Sequence, residues 1–497
     1  MKKNVFSRAI ALTLSVLMVT SLAACNKTSS GGAGNEDGDP NDKPESISLM
    51  ATTIMEADNG IQDVCDEYER LTGIKLHVEK PDHNKYYEKV VLSFASEAAA
   101  DVIEMGSTYY PELANSGAIW DMTDAWDNTT SNAKKITDEA YVDALKIDGR
   151  LYGFPMAAGN GTVTYVRQDW LDEAGLEAPK NYEEFINMLK AFKSRGEGAI
   201  PLTAAGLINS ETPYDIYLKE FYQDAIPDFY YDKEAGQYVD GFAQEANIAA
   251  MQRLKDAYSE GLIDAEIVTN KTSTCRDKLG SGIVGAFNYW AGMWSFKLEG
   301  TLKEGKLTAI PAIEETGGYI ERVPTAMAMS IYAPNKAAIF EHFLMFSHDG
   351  GEGQMLFTHG VKDIHYVVNE DGSYTALPYK VDPNTLVEKS VYAPELSITD
   401  WEDPFTFDER VKTSLETFRS DRYFAEVPIV SDVISKNLAD LNVIKNTVMA
   451  NAVTSKNDPD SVAKAIEEYN TKAKPYYEAI LADLNTPENL ANKQGNN

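Results

Sequence analysis

Apolar positions along the chain switch between two spacings. Ile47-Ser48-Leu49-Met50-Ala51 predicts a first strand, and Ile61, Val64, Cys65, Tyr68 and Leu71 then recur every three to four residues until Gly73, the pattern of a helix stopped by glycine. Ile74-Lys75-Leu76-His77-Val78 alternates as a second strand would, and Tyr86, Tyr87, Val90, Val91, Phe94 and Ala95 return to helical spacing. Asp101-Val102-Ile103-Glu104-Met105 predicts a third strand. Strands separated by helices indicate an α/β fold with a parallel, doubly wound sheet, in which ligands bind beyond the carboxyl ends of the strands.

The same reading continues downstream. Asp148-Gly149-Arg150 predicts a turn into Leu151-Tyr152-Gly153-Phe154-Pro155, followed by an apolar strand from Val163 to Val166. After Pro179, Asn181 is placed as an N-cap with Glu184 three residues on, and Phe185, Met188, Leu189 and Phe192 form the buried stripe. Gly282 to Phe287 reads as a glycine-interrupted strand running into Asn288-Tyr289-Trp290-Ala291-Gly292, and residues 427–484 read as mainly helical. No fixed-period repeat occurs, which excludes solenoids and propellers.

The first twenty-five residues follow a different pattern. Lys2, Lys3 and Arg8 precede the apolar run Ala9 to Met18, which is too short to span a membrane, and Leu22-Ala23-Ala24-Cys25 supplies small residues before a cysteine. This is an export signal over residues 1–24, and Leu-Ala-Ala-Cys resembles the bacterial lipobox. That resemblance implies cleavage before Cys25 and a diacylglyceryl group on its sulfur, which holds the protein on the outer face of a cell membrane without a spanning helix. The alternative is an ordinary signal peptide cut nearby. Residues 25–44 carry almost nothing apolar and are expected to form a disordered tether, so the folded part is expected to begin near Glu45.

Composition narrows the function classes. The net charge of −32 becomes −35 once Lys2, Lys3 and Arg8 leave with the signal, which argues against nucleic acid as a partner. Cys65 and Cys275 are the two cysteines left besides Cys25; they form no metal spacing, and both a disulfide and two buried thiols fit the sequence. His342, His348, His359 and His365 are too widely spaced for one helical face and read as structural, so no metal or cofactor is expected. The chain has no G-x-S-x-G, H-E-x-x-H or P-loop. A secreted carbohydrate-active enzyme would need two carboxylates across a cleft, and a chain with 77 Asp and Glu offers such pairs everywhere.

Four segments follow one another along the chain: Asp101-Val102-Ile103 with Leu113 to Met122; Asp148-Gly149-Arg150-Leu151-Tyr152-Gly153-Phe154-Pro155; Tyr165-Val166-Arg167-Gln168-Asp169-Trp170-Leu171 through Gly175-Leu176 and Pro179; and Gly285-Ala286-Phe287 to Trp290. In this order they resemble the extracellular solute-binding lipoproteins of ABC importers, in the maltose-binding-protein-like, carbohydrate-binding branch. Two positions depart from the pattern. Gly360-Val361-Lys362-Asp363-Ile364-His365-Tyr366 stands where many relatives read G-x-E-G-x-H-Y, and Thr108 stands where maltose-binding protein has a sugar-binding carboxylate. These departures weigh against maltose and leave the class unchanged.

The resemblance implies two α/β lobes of discontinuous segments with a hinge and a central ligand cleft. One lobe would comprise residues 45–158 plus 317–392, the other 159–315 plus 393–497. It further implies a monomer that captures a sugar or oligosaccharide and presents it to ABC permease subunits, with no catalysis. The same fold could instead take peptides or another organic solute. A polyhydroxylated ligand needs aromatic platforms and planar polar groups. The candidates are Trp290 after its strand, Tyr109, Tyr110 and Glu104 at the third strand's carboxyl end, Asn160 beside the first hinge, Tyr214 after Pro213, and Trp401 in a loop-like stretch where relatives often supply an aromatic. Trp294 is expected to pack beside Trp290, and Trp120, Trp126 and Trp170 read as core.

Overall fold

A computed structural model describes residues 37–52, 60–82, 85–107, 109–158, 161–208, 217–377 and 396–495. Cys25, Thr108, Asn160 and Tyr214 lie outside the described residues.

In chain order the strands are β1 (Ser46–Met50), β2 (Lys75–Glu79), β3 (Val102–Met105), β4 (Gly153–Pro155), β5 (Thr162–Arg167), β6 (Ile200–Thr203), β7 (Phe229–Asp232) and β8 (Gln237–Asp240). They continue with β9 (Val284–Trp290), β10 (Leu307–Ile310), β11 (Tyr319–Glu321), β12 (Ala326–Met329), β13 (Tyr366–Val368), β14 (Tyr374–Ala376) and β15 (Arg422–Phe424). The chain divides into two compact lobes, residues 1–158 with 324–405 and residues 159–323 with 406–497.

The first lobe is built on a five-stranded sheet in the order β2-β1-β3-β12-β4. The helix Ile61–Thr72 buries Val64, Cys65 and Tyr68 and stops at Gly73, whose φ of 72° is open to glycine at no steric cost. β1, β2 and β3 are parallel as the βαβ pattern predicts. The sheet as a whole is mixed and corrects the all-parallel expectation, because β12 enters antiparallel to β3 and to β4. Every residue of β3 and β12 is buried, so neither strand alternates; β12 is apolar throughout, and β3 is apolar apart from Glu104. The predicted turn at Asp148-Gly149 is a two-residue hairpin with positive φ at both residues and reciprocal hydrogen bonds between Ile147 and Arg150.

Part of the segment expected to be a tether is bound to the folded body. Asp37 to Lys43 lies against the first lobe: the Trp120 indole N–H donates to Asp37 Oδ1 at 2.8 Å, Ala337 N–H donates to the Asp37 carbonyl, and the Asn335 side-chain amide donates to the Asp42 carbonyl. The Lys43 ammonium reaches the Thr72 carbonyl at the end of its helix, where a cation complements the helix dipole. Polar composition hides this segment from an apolar-periodicity reading, because hydrogen bonds hold it.

The second lobe carries the sheet β10-β5-β9-β6, with β5 antiparallel to both neighbours and β6 parallel to β9. Both faces are covered. Val163, Tyr165, Phe287 and Tyr289 join one core, while Val166, Leu202 and Ala286 join another that includes the C-terminal helices Asp432–Thr454, Ser461–Lys472 and Lys474–Leu484. The helix Tyr182–Lys193 buries Phe185, Met188, Leu189 and Phe192, and Asn181 accepts from Glu184 N–H at 2.9 Å. Glu184 reaches back to Lys180 N–H, one residue short of a capping box. A Cβ on Gly285 would sit 2.4 Å from the Phe192 ring, so glycine in β9 lets this helix pack against the sheet.

Two lobe boundaries differ from the expected ones. The second crossing falls between Val323 and Pro324, because β11 pairs with β15 of the second lobe. The third falls between Phe405 and Thr406, because a Thr137–Thr399 bridge and the bonds from Asp138 N–H to Ile398 and Asp400 N–H to Ile136 keep residues 396–405 in the first lobe.

Candidate solute-binding faces

In the first lobe, side chains tie β1 to β3 in two places, at Asp101 just before β3 and at Tyr86 near the carboxyl ends of both strands. Asp101 Oδ2 accepts from Ser48 N–H at 2.8 Å and from its hydroxyl at 2.7 Å, setting the register of the two strands. The Tyr86 hydroxyl lies 2.9 Å from the Met50 carbonyl and 2.7 Å from the Glu104 carbonyl. Glu104 is 3% exposed and its Oε2 accepts from Thr52 N–H at 2.8 Å, so this carboxylate shapes the loop after β1 from within.

The aromatic surface here is a stack. Tyr109 begins a short helix, Tyr109–Asn115, and its ring lies 4.0 Å from that of Tyr87 at an interplanar angle of 10°. Both rings are half-buried, and burial pushes both phenols up from their ordinary pKa, which keeps them neutral hydroxyl groups. Tyr110, a candidate from sequence, turns the other way. It is fully buried, donates to the Leu145 carbonyl at 2.8 Å and accepts from Tyr152 N–H, so its place in the core supersedes a contact role. Residues adjacent on a helix point about 100° apart, which separates the two tyrosines. Nothing in the sequence sets Tyr87 apart, because its spacing matches the apolar stripe of its helix, Tyr86–Ala95.

In the second lobe Trp290 ends β9 and is half-buried. The Arg322 guanidinium lies 4.2 Å from its ring centroid, and Tyr217 meets it edge-on at 6.0 Å and 73°. The turn behind it is fixed from three segments. Tyr165 donates its hydroxyl to the Trp290 carbonyl at 2.8 Å and contacts Ser414 Oγ, which accepts from Gly292 N–H. Gly292, at φ 72° and ψ −131°, lets the helix Met293–Thr301 begin at once, and Trp294 packs edge-on against Tyr289 at 4.9 Å. Neither Arg322 nor Tyr217 carries a periodicity or motif signal; only the crossing of distant segments brings them to Trp290.

Trp401 belongs to the first lobe, half-buried beside His359 at 5.9 Å, with His359 Nε2 bound to Asp403 at 2.9 Å. Its neighbours are a different set from those at the β3 end. His348 is buried, with its ring nitrogens near the carbonyls of Leu344 and Met156, and burial pushes its pKa down. His365 accepts from Val361 N–H. Among the described residues no group of His, Cys, Asp and Glu is arranged to hold a metal ion. Cys65 and Cys275 are free, buried thiols whose pKa burial pushes up to about 11. Trp120, Trp126 and Trp170 are core residues.

The sequence pattern of bacterial extracellular solute-binding proteins matches residues 52–343, more than half of the chain. The chain belongs to that family. Its members are binding proteins, and the two-lobed α/β architecture described above is theirs. Among relatives, the diacetylchitobiose binding protein DasA of Streptomyces coelicolor is 27% identical over 177 residues, covering 35% of this chain and 40% of DasA. The chain's match thus spans about two fifths of DasA's length. Lipoprotein LipO of Bacillus subtilis is 23% identical over 406 residues, covering 76% of each chain. An extracellular solute-binding protein from Bifidobacterium longum subsp. infantis superimposes with a TM-score of 0.64 at 17% identity, covering 88% of this chain and 99% of its own. Among the described residues no helix is long and apolar enough to cross a membrane.

Proposed function

We propose that this solute-binding protein captures an oligosaccharide outside the cell and delivers it to an ABC permease, held at the membrane by a lipid on Cys25. The observation that carries the ligand class is the pair of half-buried aromatic faces at strand ends: the Tyr87–Tyr109 stack in one lobe and Trp290 in the other. Pyranose rings present C–H faces to such rings and a rim of hydroxyls to nearby backbone and polar side chains. The relative DasA, a diacetylchitobiose binding protein, supports a sugar, and LipO, a lipoprotein, supports the anchor at Leu22-Ala23-Ala24-Cys25.

The ligand leaves unchanged in this account. Binding shifts the protein's conformational population by the ligand's differential affinity for its states, and the permease reads the result. Screening thermal stability against mono- and oligosaccharides, including diacetylchitobiose, and against short peptides tests the class. Stabilisation by at least one oligosaccharide is expected. Stabilisation by peptides and by no sugar would replace the ligand class, and turnover of a glycan would replace the absence of chemistry.

A further inference from the structure

We infer that Tyr87 is a positioning residue: it holds the Gly106 backbone just after β3 through its hydroxyl and backs Tyr109 with its ring, so that Tyr109 is presented as a fixed platform. Tyr86 and Tyr87 are consecutive on one helix, and their rings stand 5.1 Å apart at 81°. Their hydroxyls divide the end of β3 between them. Tyr86 takes the Glu104 carbonyl at 2.7 Å, and Tyr87 accepts from Gly106 N–H at 2.7 Å. The fit around Gly106 is tight, since a Cβ there would lie 2.8 Å from the Tyr87 hydroxyl oxygen. Gly106 in turn accepts from Tyr110 N–H, so the Tyr87 bond fixes the backbone at which the Tyr109 helix starts. The 4.0 Å parallel stack then occupies one face of Tyr109. A ring whose backbone and back face are both held loses little rotamer entropy when a ligand lands on it, which is how preorganisation raises affinity.

The platform's use for a pyranose rests on the sugar reading proposed above, whereas the clamp does not. Two readouts therefore separate them. Without ligand, Tyr87→Phe should speed hydrogen exchange of the Gly106 amide at least tenfold while Ile103 and the thermal midpoint stay unchanged; equal Gly106 exchange would overturn the clamp. With diacetylchitobiose and longer pyranose oligosaccharides, Tyr87→Phe should weaken binding several-fold. Tyr87→Leu should weaken it as much as Tyr109→Ala, and the double variant no more than Tyr109→Ala alone. Independent, multiplying losses would show that Tyr87 acts other than through Tyr109 and would overturn the positioning role. If no sugar binds the unaltered protein, the sugar reading fails while Gly106 exchange still decides the clamp.

Discussion

Two residues show how burial and partners decide what a side chain can do. Trp290 is held by Arg322, Tyr217 and the bonded turn behind its carbonyl, which together fix the place of its indole at the end of β9. Trp290→Ala is expected to weaken oligosaccharide binding by at least about 1 kcal/mol, the scale of a lost aromatic contact, in isothermal titration with the fold unchanged. Asp264 is the contrasting case, a carboxylate used for stability. Burial alone would raise its pKa, but donors from Lys278, Asn270 and Thr203 outweigh burial and hold it below the ordinary value near 3.8. The folded protein therefore binds that proton less readily than the unfolded chain. Its stabilisation is complete above pH 3.8 and is lost as pH falls through the depressed value. Urea midpoints measured against pH should drop in that window, and Asp264→Asn should flatten the drop. Lys278→Met, which takes the ammonium away from the buried carboxylate and leaves it with neutral donors, Asn270 and Thr203 among them, is expected to cost roughly 3 kcal/mol at neutral pH.

At the scale of elements, apolar periodicity foretold the helices Ile61–Thr72 and Tyr182–Lys193 with their buried faces, because both bury one stripe against a sheet and need no distant partner to define them. Strand direction was not legible in the same way. β12 follows β11 with no helix between them, arrives from the other lobe and runs antiparallel, and periodicity carries no direction. The Asp37 to Lys43 strap was missed for the reason that its bonds are polar, and Arg322 and Tyr217 because their meeting with Trp290 depends on tertiary crossing. The strap gives a direct test. Gly38 has φ 89°, and a Cβ there would fall 2.0 Å from Asn335 Oδ1, so Gly38→Val should detach it. The expected result is proteolysis within residues 37–44 and a loss of about 1–2 kcal/mol in chemical denaturation. Gly285→Ala, which drives a methyl into Phe192 and Trp170, is expected to cost about 2 kcal/mol by the same measurement.

At the scale of the whole molecule, the fold fits the proposed anchor: a two-lobed binder whose net charge would be −35 after removal of the proposed signal is suited to lie beside an anionic surface without adhering to it. Cys25→Ala should release the protein from membranes into the medium on cell fractionation without altering ligand affinity, since Cys25 precedes the strap and every candidate contact. The central claim is that the protein holds an oligosaccharide and returns it intact. The measurement that tests it most directly is equilibrium dialysis of the mature protein against a mixture of oligosaccharides and short peptides, with mass spectrometry of what is retained and later recovered. Stoichiometric retention of a sugar recovered with its linkages unbroken is expected; retention of peptide alone, or recovery of cleaved glycan, would overturn the proposed role.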